Sequence, residues 1–246
     1  MPFSHHSHSG QFCGHAKDDL EAVLQEAIAR GMEVFCMTEH MPRDHSDDLY
    51  PEEIEAGLTP ADLSTTFQQY VQEARRLQAK YSDQVRLLVG METDWIRPQT
   101  CNTAIQQLIA AHDLDMIVGS VHHVHTIPID FSQELYDKAA AKAAELSGTA
   151  TGHAEHQLAA DYFDLQHNML STLKPPVVGH FDLIRLLGRF ERRGESLKQW
   201  PDVWAKVKRN LAVVKQYGGC LEINSAGLRK GLTEPYPCSD ICKVGE

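Results

Sequence analysis

The chain has 246 residues, of which 42% are apolar, 23% charged and 7% aromatic, a composition typical of a globular protein with one large or two small domains. It carries 23 basic and 34 acidic residues, a formal net charge of −11, which disfavours nucleic acid as the main partner. Because no membrane-length apolar run or secretory signal is visible and the six cysteines lack a framework spacing, we expect a cytoplasmic protein with free thiols and no membrane partner.

Amphipathic helical segments alternate with short apolar runs along the chain. The first helix is predicted after Asp18 and Asp19, which offer a cap with Glu21 as capping-box partner, and it ends at Gly31. Thr59-Pro60 begins another helix, with one apolar face made of Leu63, Phe67, Tyr70, Val71, Ala74 and Leu77. Further helices are predicted at about 102–112, 132–146, 155–173 and 202–217.

The apolar runs predict short buried strands. One strand is predicted to end at His6-Ser7-His8, and the others are Val34–Met37, Val85–Val89, Met116–Val118, Val177–Val178 and Cys220–Ile223. Strands that are apolar throughout and separated by helices indicate a parallel sheet covered on both faces. The segment 148–156 is interpreted as a loop insertion rather than a domain boundary.

A chemically capable side chain follows each predicted strand. After the first strand these are Glu39-His40, Glu92, His122, His180 and Asn224. Active sites of β/α barrels are assembled at the carboxyl ends of successive strands, whereas a doubly wound open sheet concentrates function at one switch point. The pattern therefore favours a barrel-like α/β fold.

Histidine is the informative residue type, because it is the commonest metal ligand and five of the 14 histidines lie in the first 40 residues. In an extended chain His6 and His8, two apart, point to the same face and can reach one ion. His5 and His8, three apart, would not. His15 precedes the first helix and His40 follows the second strand, so both are predicted to reach the same end of the sheet.

Glu92 is a carboxylate that directly follows an apolar strand, and a carboxylate can bridge two cations. His122 and His180 complete the set of candidate ligands. His123 and His125 compete with His122, which the strand end favours. The histidines without a strand-end context are interpreted as surface or helix residues: His45, His112, His153, His156 and His167.

The order of these motifs resembles the PHP phosphoesterase family. H-x-H comes first, then a histidine before the first helix, T-E-H, G-x-E-x-D, S-V-H and G-H-x-D. Within that family, C-G-H-A, T-E-H-x-P-R, G-S-V-H-H, G-H-F-D-L-I-R and L-E-I-N-S-A-G-L-R-K-G-L-x-E-P-Y-P are similar to the fungal-type histidinol-phosphate phosphatases. The resemblance extends from His6 to Pro237, nearly the whole chain.

This resemblance implies a distorted (β/α)7 TIM-like barrel, the PHP fold, and two to three divalent metal ions of zinc, manganese or iron. His6 and His8 would bind the first metal, and Glu92 would bridge it to a second metal completed by His122 and His180. His15 and His40 would hold a third. Glu92, His122 and His180 are the catalytic candidates, and Arg185 and Arg229 would bind the substrate phosphate.

The implied activity is hydrolysis of L-histidinol phosphate to L-histidinol and phosphate in histidine biosynthesis, so the expected partner is a small phosphorylated amino alcohol. Clustered divalent cations suit such a reaction, because they neutralise phosphate oxygens and activate water. Three alternatives remain open: a PHP phosphoesterase with another substrate, such as a nuclease or polymerase-associated domain, a metal-dependent amidohydrolase, and an inactive, metal-poor remnant.

The family's last motif, D-x-H after a seventh strand, is absent from the sequence, which ends at Glu246. Only six strand candidates are found, in agreement with that gap. Residues 1–246 are therefore expected to form a single PHP domain that lacks the last strand, with impaired catalysis.

Overall fold

The computed structural model describes residues 2–245. The α-helices are α1 (Leu20–Ala29), α2 (Pro51–Glu55), α3 (Pro60–Lys80), α4 (Pro98–His112), α5 (Gln133–Ser147), α6 (Ala154–Leu173), α7 (Arg189–Arg192), α8 (Pro201–Tyr217), α9 (Ala226–Arg229) and α10 (Ser239–Gly245). The strands are β1 (Phe3–Ser4), β2 (Val34–Met37), β3 (Arg86–Asp94), β4 (Met116–Ser120), β5 (His123–Val124), β6 (Ile127–Pro128), β7 (Val177–Val178) and β8 (Cys220–Leu221). No helix in this range is both long and apolar enough to cross a membrane.

The chain divides into two compact units. The first unit is Met1–Thr93 with Thr103–Val118, and the second is Asp94–Asn102 with Gly119–Glu246. In the first unit β1 pairs with β2 and β2 with β3, both in parallel. The start of β4 follows β3, where the Asp115 amide donates to the Val89 carbonyl oxygen at 2.7 Å. Parallel pairing brings the carboxyl ends of these strands to one edge of the sheet.

In the second unit β7 pairs in parallel with β8, and the Gly179 amide donates to the Gly119 carbonyl oxygen at the end of β4, at 3.0 Å. β5 and β6 form a short antiparallel pair that the sequence did not predict. Unlike Val177–Val178, these two segments contain a histidine and a proline, so they show neither a purely apolar run nor an alternation on which a strand prediction could depend.

Helix α3 forms as its sequence predicts. The Thr59 side chain accepts from the Asp62 amide at 3.3 Å, and the Asp62 carboxylate accepts from the Thr59 amide at 2.8 Å, which completes a capping box. The predicted apolar face is buried at Phe67, Tyr70, Val71, Ala74 and Leu77. The capping box fixes the residue at which α3 begins, and the buried face packs the helix against the core of the first unit. That core includes Leu24, Cys36 and Met37.

Three local predictions were wrong. Asp19 is the N-cap of α1, but its side chain makes no capping hydrogen bond. The segment 148–156 is not a loop insertion, because Thr151–His153 is a 3-10 turn and α6 begins at Ala154. The first strand ends at Ser4, so His6 and His8 lie in the segment beyond it. The predicted absence of a disulfide framework agrees with the described residues, in which no disulfide joins the cysteines.

Candidate metal centre

Backbone pairing at the carboxyl ends of β2 and β3 sets His40 beside Glu92. The two residues form a parallel bridge, in which the Glu92 amide donates to the Glu39 carbonyl oxygen and the Met41 amide to the Glu92 carbonyl oxygen, both at 2.9 Å. The apolar run predicted a strand that ends at Val89, whereas β3 continues to Asp94 and so includes Glu92. Glu92 is therefore held by the ladder itself, which gives a buried carboxylate a rigid position.

Three imidazoles converge on one oxygen of that carboxylate. Glu92 Oε2 lies 3.2 Å from His6 Nε2, 3.1 Å from His8 Nε2 and 3.1 Å from His40 Nδ1. We call these four residues the Glu92 cluster. His6 Nε2 and His8 Nε2 are 2.9 Å apart. The predicted choice of His6 over His5 as the partner of His8 agrees with this geometry.

Within the Glu92 cluster, the ligand atoms of His6, His8 and Glu92 all lie within 4.8 Å of one another, and this set fits a divalent cation. Ligand atoms around a tetrahedral ion at about 2.0–2.1 Å are separated by about 3.3 Å, close to the separations observed here. Imidazole nitrogen together with carboxylate oxygen suits zinc, manganese and iron. Glu92 is 1% exposed, so its charge is removed from water and gains most from a cation or from positive partners.

His15 joins a second group of candidate ligands. Ligand nitrogens of His8, His15 and His40 lie within 4.8 Å of one another. The His15 side chain is 54% exposed, in contrast to the Glu92 cluster. The loop that carries His15 begins and ends where Gly10 approaches Lys17. A Cβ at residue 10 would lie 2.6 Å from the Lys17 carbonyl carbon, so only glycine fits there. The structure thus brings together all the candidate ligands that precede residue 93.

Glu39 follows a predicted strand, but the sequence assigned it no role of its own. Its Oε1 accepts from the Ser9 amide and the Ser9 hydroxyl, both at 2.7 Å, and its Oε2 lies 3.3 Å from His8 Nδ1. A proton on Nδ1 leaves His8 Nε2 as the atom that faces Glu92. Burial lowers the pKa of His8, but hydrogen bonds to Glu39 and Glu92 outweigh burial, so that the pKa is raised. Glu39 therefore orients a candidate ligand.

The second unit contains a separate histidine pair. His122 Nε2 and His180 Nε2 are 3.2 Å apart, and His122 Nδ1 lies 3.3 Å from Asp94 Oδ1. His123 Nδ1 lies 3.5 Å from the same oxygen of Asp94. His125 instead pairs with Asp161 at 2.7 Å. Among the competing histidines it is thus His122 that faces His180.

Asp94 is the acidic partner of this pair. Burial raises its pKa, but the neighbouring His123 and His122 more than offset burial and hold the pKa of Asp94 well below its usual value. An ionised Asp94 favours the proton on His122 Nδ1, which leaves Nε2 as a metal-binding atom. Glu222 supports the other histidine, because it accepts from the His180 amide at 3.1 Å. Neither carboxylate was assigned a role from the sequence.

The two arginines predicted to bind phosphate lie in different surroundings. Arg185 is 2% exposed and donates to Asp182 at 3.0 Å, to the Pro235 carbonyl oxygen at 3.2 Å and to Glu191. Each of its three nitrogens is engaged in this way, so the geometry favours a structural role over the predicted phosphate contact. Arg229, at the end of α9, is exposed, and its guanidinium lies 3.4 Å from the Ser225 hydroxyl.

The remaining histidines lie where the sequence predicted, in turns and helices. His45 caps the 3-10 turn that follows it, and His112 ends α4, where its ring packs edge-on against Phe67. His153 lies in a 3-10 turn, and His156 and His167 lie in α6. His156 Nε2 is 2.9 Å from Asp202. None of them contributes to the clusters described above.

Comparison with known proteins agrees with this combination of fold and ligands. The family model described as the PHP domain matches residues 4–226. The chain belongs to the PHP domain family. A solved structure of a candidate histidinol phosphatase from Listeria monocytogenes superposes with a TM-score of 0.79 at 23% identity, covering 99% of this chain and 90% of that chain. The predicted α/β fold of the PHP type is thereby confirmed.

Two curated relatives are similar over most of this PHP chain. A candidate histidinol-phosphatase from Schizosaccharomyces pombe is 47% identical over 96% of this chain and 74% of its own length. The histidinol-phosphatase of Saccharomyces cerevisiae is 33% identical over 98% of this chain and 78% of its own length.

Proposed function

We propose that this PHP protein is a metal-dependent histidinol-phosphatase, which hydrolyses L-histidinol phosphate to L-histidinol and phosphate in histidine biosynthesis. The observation that carries the proposal is the convergence of three imidazoles on Glu92 Oε2, a donor set suited to divalent cations. The names of the two curated relatives support the substrate. Hydrolysis of a phosphomonoester is chemistry for which clustered cations are well suited.

The candidate ligands of the first unit have different roles in this proposal. His6, His8 and His40 would hold metal through their ring nitrogens, and Glu92 would supply negative charge and a bridging oxygen. Glu39 holds His8 in one orientation. Two to three divalent ions of zinc, manganese or iron, when bound, would neutralise phosphate oxygens and lower the pKa of water.

We assign His122 and His180 to the same reaction on their sequence motifs, S-V-H and G-H-x-D. Asp94 keeps the His122 ring in the tautomer that a metal ligand requires. A nuclease activity is disfavoured by the net charge of −11, because phosphate backbones are bound by basic surfaces.

The proposal is tested by metal analysis together with phosphate release from a panel of phosphomonoesters that includes histidinol phosphate. We expect bound divalent metal, a clear preference for histidinol phosphate, and loss of activity on chelation that returns when metal is restored. A protein that binds no metal and releases no phosphate from any member of the panel would be an inactive member of the family. Release of phosphate from other phosphomonoesters, but not from histidinol phosphate, would show that the protein has a different substrate.

Replacing Arg229 tests the predicted phosphate contact. We expect Arg229→Ala to raise the KM for histidinol phosphate by about tenfold or more, because a charge-assisted hydrogen bond to phosphate is lost. The melting temperature should not change, because Arg229 is exposed. Lys230→Ala is the matched control, since it removes the same charge from the next residue. An equal KM in both variants would exclude a phosphate contact by Arg229.

A further inference from the structure

A cavity of about 250 Å³ lies in the first unit beside the candidate metal ligands. His15, Glu39 and His40 are part of its lining, so the cavity opens directly next to atoms that would hold metal. Pockets for drug-sized ligands have volumes of about 300–1,000 Å³, so this cavity suits a smaller molecule. It is therefore placed and sized for the part of a small phosphomonoester that is not phosphate.

One wall of the cavity is aromatic and rigid. The Phe12 and Tyr70 rings meet edge-on with centroids 5.8 Å apart, and those of Phe67 and Tyr70 are 5.6 Å apart. The Tyr70 hydroxyl lies 2.6 Å from the Met37 carbonyl oxygen and 2.7 Å from that of Gly90, which fixes the ring against β2 and β3. Tyr70 and Phe67 are buried, whereas Phe12 is half-buried, so Phe12 is the ring that a planar aromatic group can contact in an edge-to-face or offset arrangement.

The lining of the cavity is also acidic. The lining contains three carboxylates, Glu39, Glu52 and Glu53, against the single guanidinium of Arg43. Glu39 is 3% exposed and accepts from Ser9, whereas Glu53 is 13% exposed and pairs with Arg43. Glu52 is 41% exposed, and its Oε1 lies 3.9 Å from His15 Nδ1. Of the three carboxylates, Glu52 is therefore the one most open to an incoming cation, and it lies next to a candidate metal ligand.

We propose that this cavity binds the amino-alcohol end of the substrate, with the ammonium group at Glu52 and the imidazole ring against Phe12. The inference rests on the function proposed above. In histidinol phosphate four bonds of about 1.5 Å separate phosphorus from the ammonium nitrogen, a reach of about 5 Å. A phosphate at the Glu92 cluster and an ammonium group beside His15 are compatible with that reach.

This arrangement makes Glu52 a specificity-determining residue. A carboxylate that pairs with the ammonium group favours an amino-alcohol phosphate over the same molecule without its amino group. Since the partly exposed pair is screened by solvent, a preference of about tenfold to 100-fold is expected rather than an absolute one. The metal ligands themselves contact phosphate and would not distinguish the two molecules.

The test compares Glu52→Gln with the wild-type protein, using the metal-loaded chain and two substrates. The substrates are histidinol phosphate and imidazolylpropyl phosphate, which lacks only the amino group. We expect Glu52→Gln to lower kcat/KM for histidinol phosphate by about tenfold or more and to leave imidazolylpropyl phosphate within about twofold. Glu55→Gln is the matched control, because Glu55 is an exposed glutamate of the same helix outside the cavity lining.

Binding of histidinol, measured by calorimetry, separates this inference from the proposed function. Weaker histidinol binding by Glu52→Gln than by Glu55→Gln supports the cavity even if neither phosphate is hydrolysed, an outcome that would refute the function alone. Equal histidinol affinity in the two variants, or no binding by the wild-type protein, overturns the inference. Equal loss of activity on both substrates also overturns it, because Glu52 would then act on the metal ligands or the fold.

Discussion

Glu92→Gln is expected to lower phosphate release by at least about 100-fold, since changes beyond the direct ligands already cost tenfold to 100-fold in metal affinity or activity. The substitution keeps the shape of the side chain and removes the charge on which His6, His8 and His40 converge. An amide cannot neutralise two cations, and its nitrogen would face imidazole nitrogens. Metal content per chain should fall together with kcat.

The fold should survive this change, because the position of residue 92 is set by backbone hydrogen bonds of the strand ladder. Glu33→Gln is a suitable control, since Glu33 is exposed and follows no predicted strand. Circular dichroism and thermal unfolding in the presence of a chelator compare the folds without the contribution of bound metal. Wild-type turnover and metal content in Glu92→Gln would refute the assigned centre.

The sequence predicted that His40 and Glu92 come together because each of them follows a short apolar run. Val34–Met37 coincides with β2, and the residues after it, Glu39 and His40, lie at the carboxyl end of the sheet. The register of β2 against β3 could not be predicted from the sequence. The parallel bridge of His40 with Glu92 depends on that register, and only the structure provides it.

The carboxylates that orient the histidines were missed for a local reason. The prediction ended the third strand at Val89, where the apolar run stops, whereas β3 continues to Asp94. Residues two apart on a strand share a face, so a strand through residue 94 would have marked Asp94 as a companion of Glu92. Glu39 received no role because it directly precedes His40, and the strand end was assigned to that histidine.

The role of Arg185 illustrates a different limit. Its motif, G-H-F-D-L-I-R, places an arginine near His180, and this predicted a phosphate contact. The structure surrounds the guanidinium with Asp182, Glu191 and the Pro235 carbonyl oxygen. Pro235 is fifty residues away along the chain, and no local pattern indicates that it approaches. Burial through distant contacts cannot be recognised from spacing.

Arg185→Ala is therefore expected to destabilise the fold by about 3–5 kcal/mol, the usual cost of removing one partner of a buried ion pair. The change leaves Asp182 at 0% exposure without its guanidinium. Burial already raises the pKa of Asp182 although Arg185 opposes this shift, so the carboxyl group depends on the arginine for its charge. Urea unfolding of the metal-free protein measures the loss of free energy directly.

Arg185→Lys provides the matched variant, because it keeps the positive charge but not the planar fork that reaches two carboxylates at once. We expect it to be intermediate in stability between Arg185→Ala and the wild-type protein. The KM of the folded fraction of Arg185→Lys should stay close to the wild-type value, in contrast to Arg229→Ala. Unchanged stability together with a raised KM would support the predicted phosphate contact, because a side chain that holds only Asp182, Glu191 and the Pro235 carbonyl oxygen would not change substrate affinity without changing stability.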